Sequence, residues 1–175
     1  IVFQDGYAYV SSYAGPVKID PTARLGYVAK VDTATMQIVD TCTVGYQPEE
    51  MVIAGNKLYV ANSGGYRVPN YDRTVSVIDL TTFTEIKKID VAINLHRLEL
   101  DRYGNIYVSS RGDYYDTPSK TYVIDSRTDE VTDILHLLPN SNMTLAGDSL
   151  YVYSTEWSWY TEQFATSYAI VDTRT

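Results

Sequence analysis

The sequence predicts an all-β protein made of four repeats of one small sheet, and three observations carry that prediction. A Tyr-Val pair recurs at Tyr9-Val10, Tyr59-Val60, Tyr107-Val108 and Tyr151-Val152, at spacings of 50, 48 and 44 residues. An Asp-x-x-Thr step follows an apolar β-branched residue at Asp32, Asp79, Asp125 and Asp172 ("DTAT", "DLTT", "DSRT", "DTRT"), at spacings of 47, 46 and 47. Between these markers the apolar runs are short, bounded by turn-forming residues, and none has the 3.6-residue period of a helix. Self-similarity at so even a period marks stacked supersecondary units.

The units run over residues 1–50, 51–97, 98–142 and 143–175 of a single domain. The second is the clearest and divides into four extended pieces, "MVIAG", "KLYVANS", "TVSVIDL" and "EIKKIDV". Apolar residues such as Val75, Val77 and Ile78 fall on both faces, so each sheet needs a cover on both sides. At each Asp-x-x-Thr step the carboxylate can accept a hydrogen bond from the backbone two residues on, which suits a tight corner between strands. A four-stranded sheet repeated at this period and sandwiched by its neighbours is a propeller blade, so a β-propeller is expected. The first unit has "IVF" as its innermost strand, while the fourth stops at Thr175, at the turn after which an outermost strand should begin. That leaves the last blade incomplete and two sheet edges open, and the chain reads as about half of a longer ring.

Composition narrows the function. With 45% hydrophobic and 21% charged residues the chain can bury a core. No window approaches the roughly 18 consecutive apolar residues of a membrane helix, so the chain is not expected to span a membrane. The start, "IVFQDGYAYV", has neither an initiating Met nor a basic region, which reads as a piece cut out of something longer, any targeting signal having gone with the rest. A net charge of -8 and a pI near 4.6 argue against nucleic acid, because no basic stripe is present to neutralise phosphates. The single Cys42 excludes a disulfide framework and reads as a small buried hydrophobe. Seventeen tyrosines stand against 3 phenylalanines, and tyrosine suits both strands and exposed binding surfaces.

"VGYQPEEMVIAGNKLYVANS" followed by "TVSVIDLTTFTEIKKIDV" resembles the YVTN-type, or YncE-like, β-propeller repeat, which runs from Val-Gly-x-x-Pro through Leu-Tyr-Val-x-Asn to Val-Ile-Asp and Thr. The second unit fits throughout. The others keep Tyr-Val and Asp-x-x-Thr but depart elsewhere: Ala92 stands for the Gly and Leu95 for the Pro, and the fourth unit has "YVYST". The resemblance implies a seven-bladed ring, hence about 330 residues in all at this repeat length. It also implies a bacterial surface or periplasmic setting, with BtuG-type lipoproteins, which capture cobalamin for an outer-membrane transporter, among the similar proteins.

On a propeller the loops from second to third strand share one face with the blade-to-blade connections. The former are long: "SSYAGPVKIDPTARLGY", "NSGGYRVPNYDR", "SRGDYYDTPSK" and "STEWSWYTEQFATS". They carry Tyr13, Tyr66, Tyr71, Tyr114, Tyr115, Trp157, Trp159 and Tyr160, a set able either to pack the loops down or to form an aromatic rim that stacks on a ring-shaped ligand. Arg111, in the third loop, joins the set. Matching "GYQPEEM" to "INLHRLE" and "LPNSNMT" places Glu49, His96 and Ser141 at one equivalent position and Glu50, Arg97 and Asn142 at the next. These groups can bind a polar ligand, although Glu50 and Arg97 can equally pair across neighbouring blades. His136 in "ILHLL" reads as a strand residue, so no His-rich metal centre is expected, nor any cofactor. "NMT" at Asn142 matches a glycosylation sequon, a weak signal, and "SGGY" reads as a turn.

Three functions compete. The first is a non-catalytic protein capturing cobalamin or a glycan on the aromatic face, for which the aromatic loops argue most. The second is a protein-interaction scaffold, docking for example on an outer-membrane transporter. The third is a propeller lyase or lactonase, for which no Ser-His-Asp or Cys-His arrangement offers support.

Overall fold

The computed structural model describes residues 1–138, 142–158 and 160–174, and its strands form four antiparallel sheets, each in chain order. The first holds β1 (Val2–Gln4), β2 (Tyr7–Ser12), β3 (Tyr27–Asp32) and β4 (Gln37–Thr43). The second holds β5 (Pro48–Ala54), β6 (Lys57–Asn62), β7 (Thr74–Asp79) and β8 (Thr84–Asp90), and the third β9 (Leu95–Leu100), β10 (Asn105–Ser110), β11 (Lys120–Asp125) and β12 (Glu130–Leu135). The fourth has three strands, β13 (Asn142–Ala146), β14 (Ser149–Ser158) and β15 (Gln163–Asp172). Among the described residues the one helical element is a 3₁₀ turn, Gly65–Arg67, which begins in "SGGY", and no helix is long and apolar enough to cross a membrane. The second and third sheets begin at Pro48 and Leu95, a few residues ahead of 51 and 98.

The two-residue period of the strands builds the core between blades. In β6 Leu58 and Val60 point to the first blade and pack with Tyr9, Val28 and Val44, while Tyr59 and Ala61 point to the third and pack with Leu95, Leu98 and Ile106. Tyr107 and Val123 of the third blade meet Met143, Leu150 and Val152 of the fourth in the same way. Cys42 lies buried in the first of these clusters as a small hydrophobe. The two-sided cover does not extend to the rim: β4, β8 and β12 are largely exposed, with Ile38, Val39, Ile86 and Ile134 in solvent. A fourth strand lies furthest from the converging inner strands, where neighbouring blades splay apart.

The corners follow the expected chemistry. Asp32 Oδ1 accepts from the N–H of Ala34 and Thr35 at 2.9 and 2.8 Å, and Asp79 Oδ1 from Thr81 and Thr82 at 2.8 and 3.0 Å. Asp125 and Asp172 accept from Arg127 N and Arg174 N at 2.8 and 3.0 Å. The Thr hydroxyl adds a bond to Asp32 and Asp79, whereas at Asp125 and Asp172 the guanidinium two residues on clamps the carboxylate. Four residues past the first three of these aspartates, Met36, Phe83 and Asp129 take left-handed φ of 58, 52 and 57°. There the corners reach the preceding blade: Phe83 packs on Tyr9 at 5.8 Å between ring centroids, and Asp129 accepts from Tyr59 Oη and from Lys57 Nζ at 2.7 Å.

Two expectations need correction. "STEWSWYTEQFATS" is not a loop like its three counterparts. Strands β14 and β15 continue through it in unbroken register from Ser149↔Asp172 to Ser158↔Gln163, because alternating polar and β-forming residues sustain the pairing up to a short turn. His136 lies just past the end of β12 rather than in a strand, exposed on the way to the fourth blade.

Candidate functional site

The motif residues that resemble the YVTN-type repeat mostly hold the face together. Gly45 N donates to Asn62 Oδ1 at 3.1 Å, and Asn62 Nδ2 donates to Ser76 Oγ at 2.9 Å. A Cβ at Gly45 would fall 2.4 Å from Asn62 Cγ, so the Gly of the connection and the Asn of the strand require one another. In the third blade both change together: Ala92 stands where Gly45 stood and the shorter Ser110 replaces Asn62, its hydroxyl donating to Ile93 O at 2.7 Å. Two loops are pinched shut by glycines in left-handed conformation. A Cβ at Gly64 would meet Asp72 N at 2.1 Å, and one at Gly112 would meet Thr117 O at 2.0 Å. The first loop is tied to the second by Asp20 N donating to Tyr66 O at 2.7 Å, and Arg67 lies 3.7 Å over the ring of Tyr46.

These constraints leave a cleft of about 340 Å³ above the first three blades. Tyr13, Tyr66 and Tyr114 line it together with Glu49, Arg111, Asn94 and Gly65. Tyr13 Oη donates to Glu49 Oε1 at 2.7 Å, Ser63 Oγ lies 3.1 Å from the same oxygen, and the Tyr66 ring stands edge-on to Tyr13 at 6.3 Å. Burial, and then the Glu49 carboxylate that takes its hydrogen bond, push the Tyr13 hydroxyl above its ordinary range. Beside this cleft, sharing Tyr13 and Glu49 with it, a second hollow is lined by Ser11, Pro48, Glu50, His96 and Arg97. Burial first, then the charges of Arg111 and Arg97, lower His96 to about 4, so its imidazole is neutral at physiological pH.

Of the residues singled out from sequence, Tyr13, Glu49, Tyr66, Arg111 and Tyr114 come together in the cleft, with His96 and Arg97 next to it. Arg97 is engaged across three blades: it donates to Glu50 Oε1 at 2.9 Å and to Asn142 Oδ1 at 3.1 Å, while Glu50 Oε2 accepts Leu98 N at 2.9 Å. The cross-blade pairing of Glu50 and Arg97 is thus present, and the amide of the sequon residue Asn142 is part of it. Tyr71 and Tyr115 line a separate hollow with Val68, Pro69, Ile93, Asp113 and Asp116, and Tyr115 lines a further one with Arg111 and Tyr114. Trp157 stands in β14 edge-on to Phe164 at 5.0 Å, and Tyr160, 97% exposed, is in the turn beyond. Neither lines the cleft. Trp159 and Ser141 lie outside the described residues. Among the described residues no three His, Cys, Asp or Glu side chains gather as a metal cage requires.

Sequence reasoning missed Asn94, Gly65 and Ser63. The signal for Asn94 was in the alignment of the connections, which sets it opposite Gln47, immediately before the Pro48 and Leu95 pair.

No family model and no curated protein matches the chain. Solved structures do. The chain is similar to hydrazine synthase of Kuenenia stuttgartiensis (TM-score 0.71, 18% identity, covering 84% of this chain and 45% of that one). It is similar to the dihydro-heme d1 dehydrogenase NirN (0.60, 13%, 97% and 38%) and to the β-propeller domain of the Trilobed protease from Pyrococcus furiosus (0.60, 12%, 96% and 51%). The chain therefore spans about half or less of the length of each. At these identities the likeness shows the fold alone: four consecutive blades of a β-propeller.

Proposed function

We propose that this propeller is a non-catalytic ligand-binding protein of the bacterial cell surface or periplasm, of YVTN-like or BtuG-like type, that captures a ring-containing nutrient, cobalamin or a glycan, on its loop-bearing face. The observation that carries this reading is the cleft itself, where three tyrosine rings surround a carboxylate and a guanidinium. Tyrosine supplies a flat apolar face and a hydroxyl at little entropic cost, and its position is held here by neighbouring blades rather than by the ligand. A cavity of about 340 Å³ lies at the lower end of the range for small-molecule sites, and suits one sugar ring or one edge of a larger ligand.

A docking role for a surface protein, such as an outer-membrane transporter, is favoured by a different observation. The β14–β15 hairpin runs well past the corresponding strands of the other blades and exposes Trp157, Tyr160, Phe164 and Tyr168.

Calorimetric titration of the chain with cobalamin and with a panel of glycans tests the first reading. Binding that weakens on Tyr66→Ala or Tyr114→Ala by about tenfold or more, and is unchanged on Trp157→Ala, supports it. Absence of binding to every compound moves the docking reading ahead.

A further inference from the structure

The connection between the second and third blades carries a buried acceptor with nothing to accept. Asn94 is 2% exposed, with a left-handed φ of 56°. Its Nδ2 donates to Gly112 O at 3.0 Å, which fixes the orientation of the amide, because the reverse placement would set two carbonyl oxygens against each other. Its Oδ1 has no hydrogen-bond partner. Asn94 and Gly65 both line the cleft, and a Cβ at Gly65 would come within 3.3 Å of that oxygen. One blade earlier the equivalent Gln47 is just as buried, at 4%, and also left-handed, but its Oε1 accepts Tyr66 N at 2.8 Å. The repeat thus builds an amide acceptor at this position. In the second blade the chain satisfies it, and in the third it is left without a partner, shut off from solvent in the wall of the cleft. A buried acceptor without a partner costs free energy, and here that cost sits in the wall of the cleft.

The second observation is Arg111, which lines the same cleft. Arg73, Arg97, Arg102, Arg127 and Arg174 are each held by a carboxylate, whereas among the described residues none pairs with Arg111, Arg24 or Arg67, and of these three Arg111 lines the cleft. The one carboxylate that shares its cleft, Glu49, accepts from Tyr13 and Ser63 through one of its oxygens. In a chain of 22 acidic and 14 basic residues, a guanidinium with no carboxylate partner among the described residues, set in a cleft with three tyrosines and Glu49, is a specific arrangement. It supplies a planar donor for an anion, acceptors for hydroxyls, and flat faces for the C–H side of a ring.

We propose that the cleft binds a carboxylate-bearing sugar, a hexuronate or the end of a uronate chain, with the carboxylate on Arg111 and the ring against Tyr66 or Tyr114. This rests on the capture reading above and names its ligand class. Every residue involved belongs to the first three blades, so the 175-residue chain is the object to test. Galacturonate and glucuronate oligomers are titrated beside the corresponding neutral galactose and glucose oligomers, on the parent and on Arg111→Gln and Arg111→Lys. The expected result is uronate binding at least about tenfold tighter than neutral-sugar binding, a preference abolished in Arg111→Gln and partly restored in Arg111→Lys, with unfolding temperature unchanged in both. Equal affinity for neutral and acidic oligomers, or a preference that survives Arg111→Gln, overturns the acidic-sugar inference and leaves the capture reading standing. Binding of cobalamin alone does the same. No binding of any of these compounds removes both.

Discussion

Tyr59 shows how much one side chain does in a structure of repeats. Its ring is fully buried between the second and third blades, and its hydroxyl donates toward Asp129 and lies 3.0 Å from Ser126 O, both on the next blade's corner. Burial, and then the hydrogen bond to Asp129, push its ionisation above the ordinary range, so the hydroxyl is a donor at physiological pH. Tyr59→Phe keeps the ring packing and leaves Asp129 with Lys57 alone. Urea unfolding should show a loss of about 1–2 kcal/mol, and a variant as stable as the parent would mean that the inter-blade tie contributes nothing. His96 gives a pH-dependent counterpart. It faces the positive Arg111 and Arg97, with Glu49 and Glu50 lining the same hollow, and it titrates near 4 in the fold against 6.5 ordinarily. Between those values the unfolded chain takes up a proton that the native one refuses. Stability should therefore be level above about pH 7.5 and decline as the pH falls from 6.5 toward 4, and His96→Gln should flatten that part of the curve measured by denaturant midpoint.

At the scale of the element, loops and corners are held by different means. Gly112 takes a φ of 65° so that the third long loop can fold back on itself, and any side chain there meets Thr117 O. Gly112→Ala should cost about 1–3 kcal/mol and loosen Tyr114 and Tyr115, visible as faster amide exchange over the loop, while β10 and β11 keep their protection. The Asp corners are electrostatic as well as conformational. Arg127 and Arg174, followed by the turn's own N–H groups, hold Asp125 and Asp172 at about 2, and backbone N–H bonds from Thr35 and Thr82 lead in lowering Asp32 and Asp79 below the usual 3.8. A carboxylate with a lowered pKa stabilises the fold above its unfolded value, and that contribution disappears as pH drops from 3.8 through about 2. Acid unfolding should thus have a component below pH 4 that is distinct from the His96 component and is reduced in Asp125→Asn. The register also slips at one equivalent place in three blades, at Lys30/Val31, Val77/Ile78 and Val123/Ile124, just before the corner aspartate. A bulge there increases the local twist as the chain turns into the outermost strand.

The whole molecule is an arc whose stability lies between blades. Each interface buries its own cluster, and the second blade, covered on both faces, contributes to two of them. Leu58→Ala, at a fully buried position facing the first blade, should cost about 2–5 kcal/mol and should loosen the first interface more than the third. Hydrogen exchange resolved by blade would detect this, and uniform destabilisation would show instead that the arc unfolds as one unit. The two terminal blades present apolar residues outward: Phe3, Met36 and Ile38 on the first, and Tyr153, Tyr168 and Ile170 on the fourth. These faces are where a hydrophobic dye should bind, and Ile170→Lys should lower that signal without disturbing the cleft.

The sequence by itself determined the blade, its four pieces and its corners, because each depends on residues near one another in the chain. The two-residue alternation around Tyr59 and the Asx-turn at Asp79 are local physics, and repetition at an even period confirmed each against the others. Equivalent positions in adjacent blades are neighbours by construction, and Glu49 with His96, like Glu50 with Arg97, line one hollow. Only the tertiary structure decided which aromatic side chains share a space. Tyr13 and Tyr66 meet because the first loop is tied over the second through Asp20 and Tyr66, and Tyr71 falls on the other side of a loop that Gly64 pinches shut. Trp157 looked like a member of the same rim because its segment had the length of the other loops. Hydrogen bonds across β14 and β15 drew that segment out into a hairpin instead. The unpartnered oxygen of Asn94 is the clearest case: Gln47 is its counterpart in sequence, but one methylene and the path of the next loop decide which amide oxygen finds a backbone N–H and which is left without a partner.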